Sequence, residues 1–238
     1  MSRRKVGDPA SISKRRGGPR LRPTGTMLVT RVRPPQSVQT DRVTVLFADL
    51  RGYTTMAEKL PPIRAFRLLE QFFGVLARAI ETHGGQVFHM AGDGMMAGFG
   101  VGDSTSDGAY AALAAGHAML LGFTPVAARW HAELEIDAGI GVGLHLGDVA
   151  VGLLGPPRRK TTTLVGDTVN VAARLCSRAR AGEVLFSCTV AAALKDSVAS
   201  PGMAVGEIPI LQLPQFELRG RRGPIDIWCV PAPQRLAL

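Results

Sequence analysis

The order of apolar runs along this chain predicts a mixed α+β domain, and three stretches carry the prediction. Val43–Phe47, VTVLF, is a β-branched and aromatic run that reads as a buried strand. Pro61–His83 sets Ile63, Phe66, Leu69, Phe73, Leu76 and Ile80 at steps of three and four. That spacing is one stripe of an amphipathic helix, expected to lie across a sheet as core. Gln86–Phe99, QVFHMAGDGMMAGF, reads as strand, tight Gly-Asp-Gly turn and strand, a hairpin signal. Strand, helix and hairpin in succession exclude all-α and all-β architectures.

Asp49 stands where the first strand ends, at the rim of a sheet, and Gly52 then lets the chain turn tightly. A carboxylate in that position is a metal ligand, a helix N-cap or a solvated turn residue. The turn after it exposes backbone N–H groups that suit a polyphosphate. Gly84-Gly85 closes the first helix and leads into the hairpin, whose tip carries Asp93. Asp93 read alone is a turn former. Two carboxylates at strand ends of one small domain make a plausible Mg²⁺ site, because Mg²⁺ takes oxygen ligands and usually only one or two carboxylates.

Ser104–Leu121 is Ala-rich and reads as a second helix capped near Ser104, with His117 on its surface or packed, and Gly122–His131 as a connector. Ile136–His145 is a strand whose glycines permit close approach of another backbone, with His145 at its end as a structural residue. Val149–Leu154 continues as strand, followed by the basic turn PPRRKTTT. In Thr161–Leu175, TTTLVGDTVNVAARL, Asp167 or Thr168 can cap a helix beginning near Val169. Asn170 and Arg174 are then i and i+4 and share one helical face, either a ribose- and phosphoryl-orienting pair or a polar surface. Val184–Ser187 is a short strand and Val190–Lys195 a helix. Phe216–Leu218 and Ile225–Val230 form a closing hairpin around RGRRG.

Composition divides the chain. Residues 1–40 hold ten Lys and Arg against Asp8 alone, a net +9, whereas residues 41–238 hold eighteen basic and eighteen acidic residues and are neutral. The Arg-, Gly-, Pro- and Ser-rich tail 1–40 predicts disorder or an extended arm, free to touch an anionic membrane surface or simply to stay solvated. The neutral domain 41–238 lacks aromatic-basic interleaving, so nucleic acid is not the expected partner. No apolar run is read as approaching the ~20 residues of a membrane span. The basic N-terminus has no signal-peptide core behind it. Cys176, Cys188 and Cys229 are widely spaced, which fits buried thiols in a reducing compartment and a cytoplasmic protein.

Three motifs now line up. Phe47, Asp49, Gly52, Tyr53 and Thr54 meet F-x-D-x-x-G-[FY]-T; Gly92, Asp93, Met96, Ala97 and Phe99 meet G-D-x-x-[ML]-A-x-F; Gly166 to Arg174 meets G-D-T-V-N-x-A-x-R. In this order the chain from about Arg42 to Val230 resembles the catalytic domain of the class III nucleotidyl cyclases. The resemblance implies a ferredoxin-like β-α-β-β-α-β core with additional strands and a dimerisation arm. It implies cyclisation of a nucleoside triphosphate to the 3′,5′-cyclic monophosphate with release of pyrophosphate. Asp49 and Asp93, with the Leu50 carbonyl, would hold two divalent cations per site, Mg²⁺ or Mn²⁺. The Gly52-Tyr53-Thr54 turn and Arg219 would hold the triphosphate, Asn170 the ribose and Arg174 the α-phosphoryl group.

The same resemblance implies a homodimer with shared sites, because the two Asp come from one subunit and the Asn and Arg from the other. His89 and Thr163 occupy the base-reading positions. Thr163 fits one adenylate subgroup, whereas His89 is neither the Lys of adenylate cyclases nor the Glu of guanylate cyclases. ATP is the expected substrate, with CTP, UTP or GTP as alternatives, and a catalytically silent regulatory dimer as a further one.

Overall fold

The computed structural model describes residues 37–103, 105–198, 208–217 and 223–232. Its centre is β1 (Gln39–Arg51), longer at both ends than the apolar run alone suggests. A short helix α1 (Tyr53–Lys59) and the long α2 (Pro62–Thr82) follow, then the hairpin β2 (Gln86–Ala91) and β3 (Gly94–Phe99). After α3 (Ala109–Leu134) come β4 (Gly139–Leu154), β5 (Thr161–Val165), α4 (Asp167–Arg178), β6 (Glu183–Ser187) and α5 (Cys188–Val198). Strands β7 (Leu211–Phe216) and β8 (Ile225–Val230) are the last elements among the described residues. One sheet runs β2-β3-β1-β4-β6-β8-β7, with β5 folded back on β4. The expected α+β architecture with an added arm-like strand is therefore present.

The period-2 alternation of β1 assigns its two faces. Leu46, Ala48 and Leu50 pack with α2, α3 and α5 in the main core. Val43, Val45 and Phe47 face the other way, where Ala172 and Val169 of α4 cover them together with Phe88, Met96 and Leu164. Asp49 and Arg51 continue this second face toward the strand end.

The glycines of β4 do what their spacing foretold. A Cβ on Gly143 would lie 2.1 Å from the amide nitrogen of Cys176 and 2.4 Å from the carbonyl of Ala172, so α4 rests directly on the sheet backbone. His145 between them is buried, with Nδ1 2.7 Å from Ser187 Oγ, a structural role.

Several expectations are corrected. The buried face of α2 is Ala65, Leu68, Phe72, Leu76, Ala79 and Ile80, whereas Ile63 is 73% and Phe66 63% exposed. Overlapping stripes of similar spacing exist on this helix, and Phe72 wins because Phe123 of α3 meets it edge-on at 5.6 Å. Helix α3 does not stop at Leu121. It starts at Ala109, with Gly108 as N-cap, and runs through the supposed connector and Pro125 to Leu134; Ser104 lies outside the described residues. Buried Phe123 and Trp130 hold the second half against the core despite the proline. At 26 residues α3 is long and apolar enough to cross a membrane by length and composition, contrary to the reading of the split run; here Leu113, Met119, Leu120 and Phe123 pack in the core. The closing hairpin begins at Leu211 rather than Phe216. Cys188 is exposed, although Cys176 and Cys229 are buried as expected.

Candidate active site

Asp49 lies two residues inside the end of β1, opposite Gly94 of β3 and Gly141 of β4. The tight turn between β2 and β3 uses Gly92 at φ 59° and sets Asp93 at its tip. The N–H of Leu50 donates to the carbonyl of Asp93 at 3.1 Å, which draws the hairpin tip to the rim of β1. Asp49, Leu50 and Asp93 are thus brought together at one rim.

Partial burial raises the Asp49 carboxyl above its usual value, and the charge of Asp93 pushes it further up, while the Arg51 guanidinium opposes both. Two carboxylates that repel one another at one rim are a donor set for a hard divalent cation. Among the described residues no third His, Cys, Asp or Glu joins them.

Gly52 follows at φ 90°, and a Cβ there would lie 2.2 Å from the carbonyl of Asp137, so only glycine fits on both counts. It begins α1, with Tyr53 half-buried and Thr54 exposed. Leu50 keeps its N–H in the bond to Asp93, so that amide is not one the turn can offer to a phosphate.

Helix α4 starts at Asp167 with Gly166 as N-cap and no side-chain cap, two residues earlier than expected. Thr168, buried over Gly147, donates instead to the carbonyl of Asp148 at 2.7 Å. Val171, Ala172, Leu175 and Cys176 bury the inner face. Asn170 and Arg174 lie about 200° around the helix from Ala172, hence on the side away from the sheet. Asn170 is exposed and Arg174 half-exposed. Among the described residues no hydrogen bond or ion pair joins either of them to Asp49 or Asp93.

His89 is exposed on the edge strand β2, and Thr163 is half-buried on β5. Leu164 and Phe88 both press on the Gly98 position, each within about 3 Å of a Cβ built there, so β5 passes close to β2 and the two base-reading candidates flank that contact. Arg219 lies outside the described residues.

Sequence reasoning passed over Arg51. Its Nη1 contacts Asp49 Oδ2, its Nη2 donates to the carbonyl of Cys176, and its Nε donates to that of Ala179 at 3.0 Å. The available signal was the period of two: residue 51 shares the strand face of Asp49.

Comparison with known proteins gives the family. Residues 36–230 match the family model of the adenylate and guanylate cyclase catalytic domain. An adenylate cyclase of Anabaena cylindrica is 34% identical over 147 residues, covering 58% of this chain and 28% of that protein. The chain thus spans about a quarter of the length of the curated relatives it matches. The crystal structure of the adenylyl cyclase CyaB from P. aeruginosa superposes with TM-score 0.74 at 28% identity, over 84% of this chain and 98% of that one. The guanylyl cyclase Cya2 superposes with TM-score 0.69 at 29% identity, over the same shares.

Proposed function

Because the chain belongs to the family of adenylate and guanylate cyclase catalytic domains, we propose that it is a nucleotidyl cyclase that prefers ATP and works as a homodimer with two shared sites. The observation that carries this reading is the placement of Asp49 and Asp93 at one rim while Asn170 and Arg174 face outward on α4. A second copy, related head to tail, offers its α4 face to the rim of the first.

In the reaction a nucleoside triphosphate's own 3′-hydroxyl attacks its α-phosphorus and pyrophosphate leaves. The protein's task is positioning and charge stabilisation. Asp49, Asp93 and the Leu50 carbonyl are the residues that would hold two divalent ions, Mg²⁺ or Mn²⁺. When bound, these supply Lewis acidity toward the 3′-hydroxyl and charge neutralisation at the β- and γ-phosphates. Gly52, Tyr53 and Thr54 cradle the phosphates through backbone N–H groups, and Arg219 adds a guanidinium. The partner's α4 brings Asn170 to the ribose and Arg174 to the charge growing on the α-phosphoryl oxygens.

For the base, Thr163 supports adenine. His89 offers one neutral hydrogen bond where a charged donor would discriminate better. The testing experiment is mass identification of the product formed from an equal mixture of ATP, GTP, CTP and UTP with Mn²⁺ or Mg²⁺. Cyclic AMP as the main product supports the reading; a different cyclic nucleotide reassigns the base pocket, and none at all points to a silent dimer.

A further inference from the structure

Arg51 stands between two parts of the molecule that the proposed chemistry assigns to different active sites. Its guanidinium spends three donors on three acceptors: Asp49 Oδ2 on β1, the carbonyl of Cys176 in the last turn of α4, and that of Ala179, the residue that caps the helix. The Cys176 carbonyl belongs to the negative end of the helix, where a cation is favoured. A planar fork reaches all three at once, which a Lys ammonium on a flexible stem cannot do.

The neighbouring strand is shaped for this side chain. A Cβ on Gly141 of β4 would lie 2.4 Å from Arg51 Nη2 and 2.8 Å from Cζ and Nε. The guanidinium therefore lies over a glycine that faces Asp49 across the ladder. The carboxylate is also divided: Oδ2 meets Arg51, whereas Oδ1 is the atom nearest to a Cβ built on Gly94, at 3.3 Å, on the hairpin side that carries Asp93.

We propose that Arg51 is a positioning residue that ties the cation-binding carboxylate of Asp49 to the C-terminal turn of α4, so that filling one active site is felt by the helix that serves the other. The inference rests on the assignment of Asp49 as a cation ligand. Within a protomer, Asp49 belongs to its own site, and α4 carries Asn170 and Arg174 to the partner's. Arg51 spans the two with one guanidinium, which meets the Asp49 carboxylate on one side and two backbone carbonyls at the end of α4 on the other.

The readout is local to α4 and needs no turnover. Mn²⁺ is titrated into the full chain without nucleotide, with binding followed by the paramagnetic resonance of the free ion. Amide hydrogen exchange is read at Ala179, whose N–H closes α4, and at Gly182, whose N–H donates to the Ile140 carbonyl at 2.8 Å. In the wild type, saturation with Mn²⁺ should change exchange at these amides at least three-fold. In Arg51→Met the ion should still bind and the response should vanish, and Arg51→Lys should retain part of it. Gly141→Ala, whose new Cβ displaces the guanidinium, should reproduce the methionine variant with Arg51 itself unsubstituted, and it serves if that variant does not fold. A wild-type α4 turn that ignores bound Mn²⁺, or a response that survives in Arg51→Met or Gly141→Ala, overturns the inference and leaves the cyclase reading intact. Failure of the wild type to bind Mn²⁺ removes the cation assignment of Asp49 and this inference with it.

Discussion

The Leu50 N–H and the Asp93 carbonyl meet at 3.1 Å, so the strand bearing one carboxylate and the turn bearing the other are joined through their backbones. Side-chain substitutions at Asp49 and Asp93 leave that bond in place. Asp49→Ala and Asp93→Ala should therefore each remain folded and dimeric while turnover falls to background. Circular dichroism, sedimentation and pyrophosphate release test the three statements, and more than a few per cent of residual activity in either variant refutes the carboxylate assignment.

Outward-facing Asn170 and Arg174 lead to a mixing experiment. Asp93→Ala and Arg174→Ala should each be inactive. Mixed and allowed to exchange subunits, they form heterodimers with one intact site and should recover part of the activity. Proven exchange without recovery rules out a shared site.

At Gly143 the packing of α4 has no slack. Gly143→Ala drives a Cβ into backbone atoms of Ala172 and Cys176. Overpacking of this kind should cost about 3 kcal/mol, lowering Tm by roughly 6–12 °C. Gly74→Ala, in α2 with nothing within 4 Å of the new Cβ, should instead stabilise by about 0.5–1 kcal/mol. Thermal melts of both variants decide the contrast.

His89→Lys replaces a neutral donor by a charged one. A hydrogen bond to a charged group contributes ~1.5–3 kcal/mol against ~0.5–1.5 for a neutral pair. The variant should gain about 1 kcal/mol, or roughly five-fold, in preference for ATP with its metal dependence unchanged. Comparing kcat/KM for ATP, GTP, CTP and UTP in both proteins measures it; an unchanged ranking refutes a base-reading role for residue 89.

The three thiols should separate by reactivity. Burial pushes Cys176 up to about 12 and Cys229 up to about 11, whereas Cys188 is exposed. At pH 8 only about one Cys176 in ten thousand is thiolate, the reactive form. Iodoacetamide at that pH should label Cys188 first and reach the other two only on unfolding, as peptide mapping would show.

Much of this site is legible without coordinates. The β-branched run before Asp49, the Gly-Asp-Gly turn around Asp93 and the four-residue spacing of Asn170 and Arg174 are local signals. Local sterics enforce them: strand pleat, left-handed glycine and helical pitch each act over a few residues. The glycines of β4 likewise announced a close backbone approach, which α4 supplies at Gly143.

Where several local patterns compete, the sequence has no means of choosing. Helix α2 carries more than one stripe at helical spacing, and the edge-on contact of Phe72 with Phe123, distant in the chain, decides which is buried. Helix α3 continues through Pro125 because Phe123 and Trp130 are held by the core, a gain that no propensity for residues 122–131 contains. Arg51 shows the limit most clearly. Its identity and its place beside Asp49 are written in the chain, but its partners Cys176 and Ala179 lie more than a hundred residues away. Sequence alone named the candidate side chains of the site. Tertiary structure decided that two carboxylates converge, that Asn170 and Arg174 face outward, and that Arg51 joins the strand of the first pair to the helix of the second, because sheet order and helix docking depend on contacts between segments with no local signal for one another.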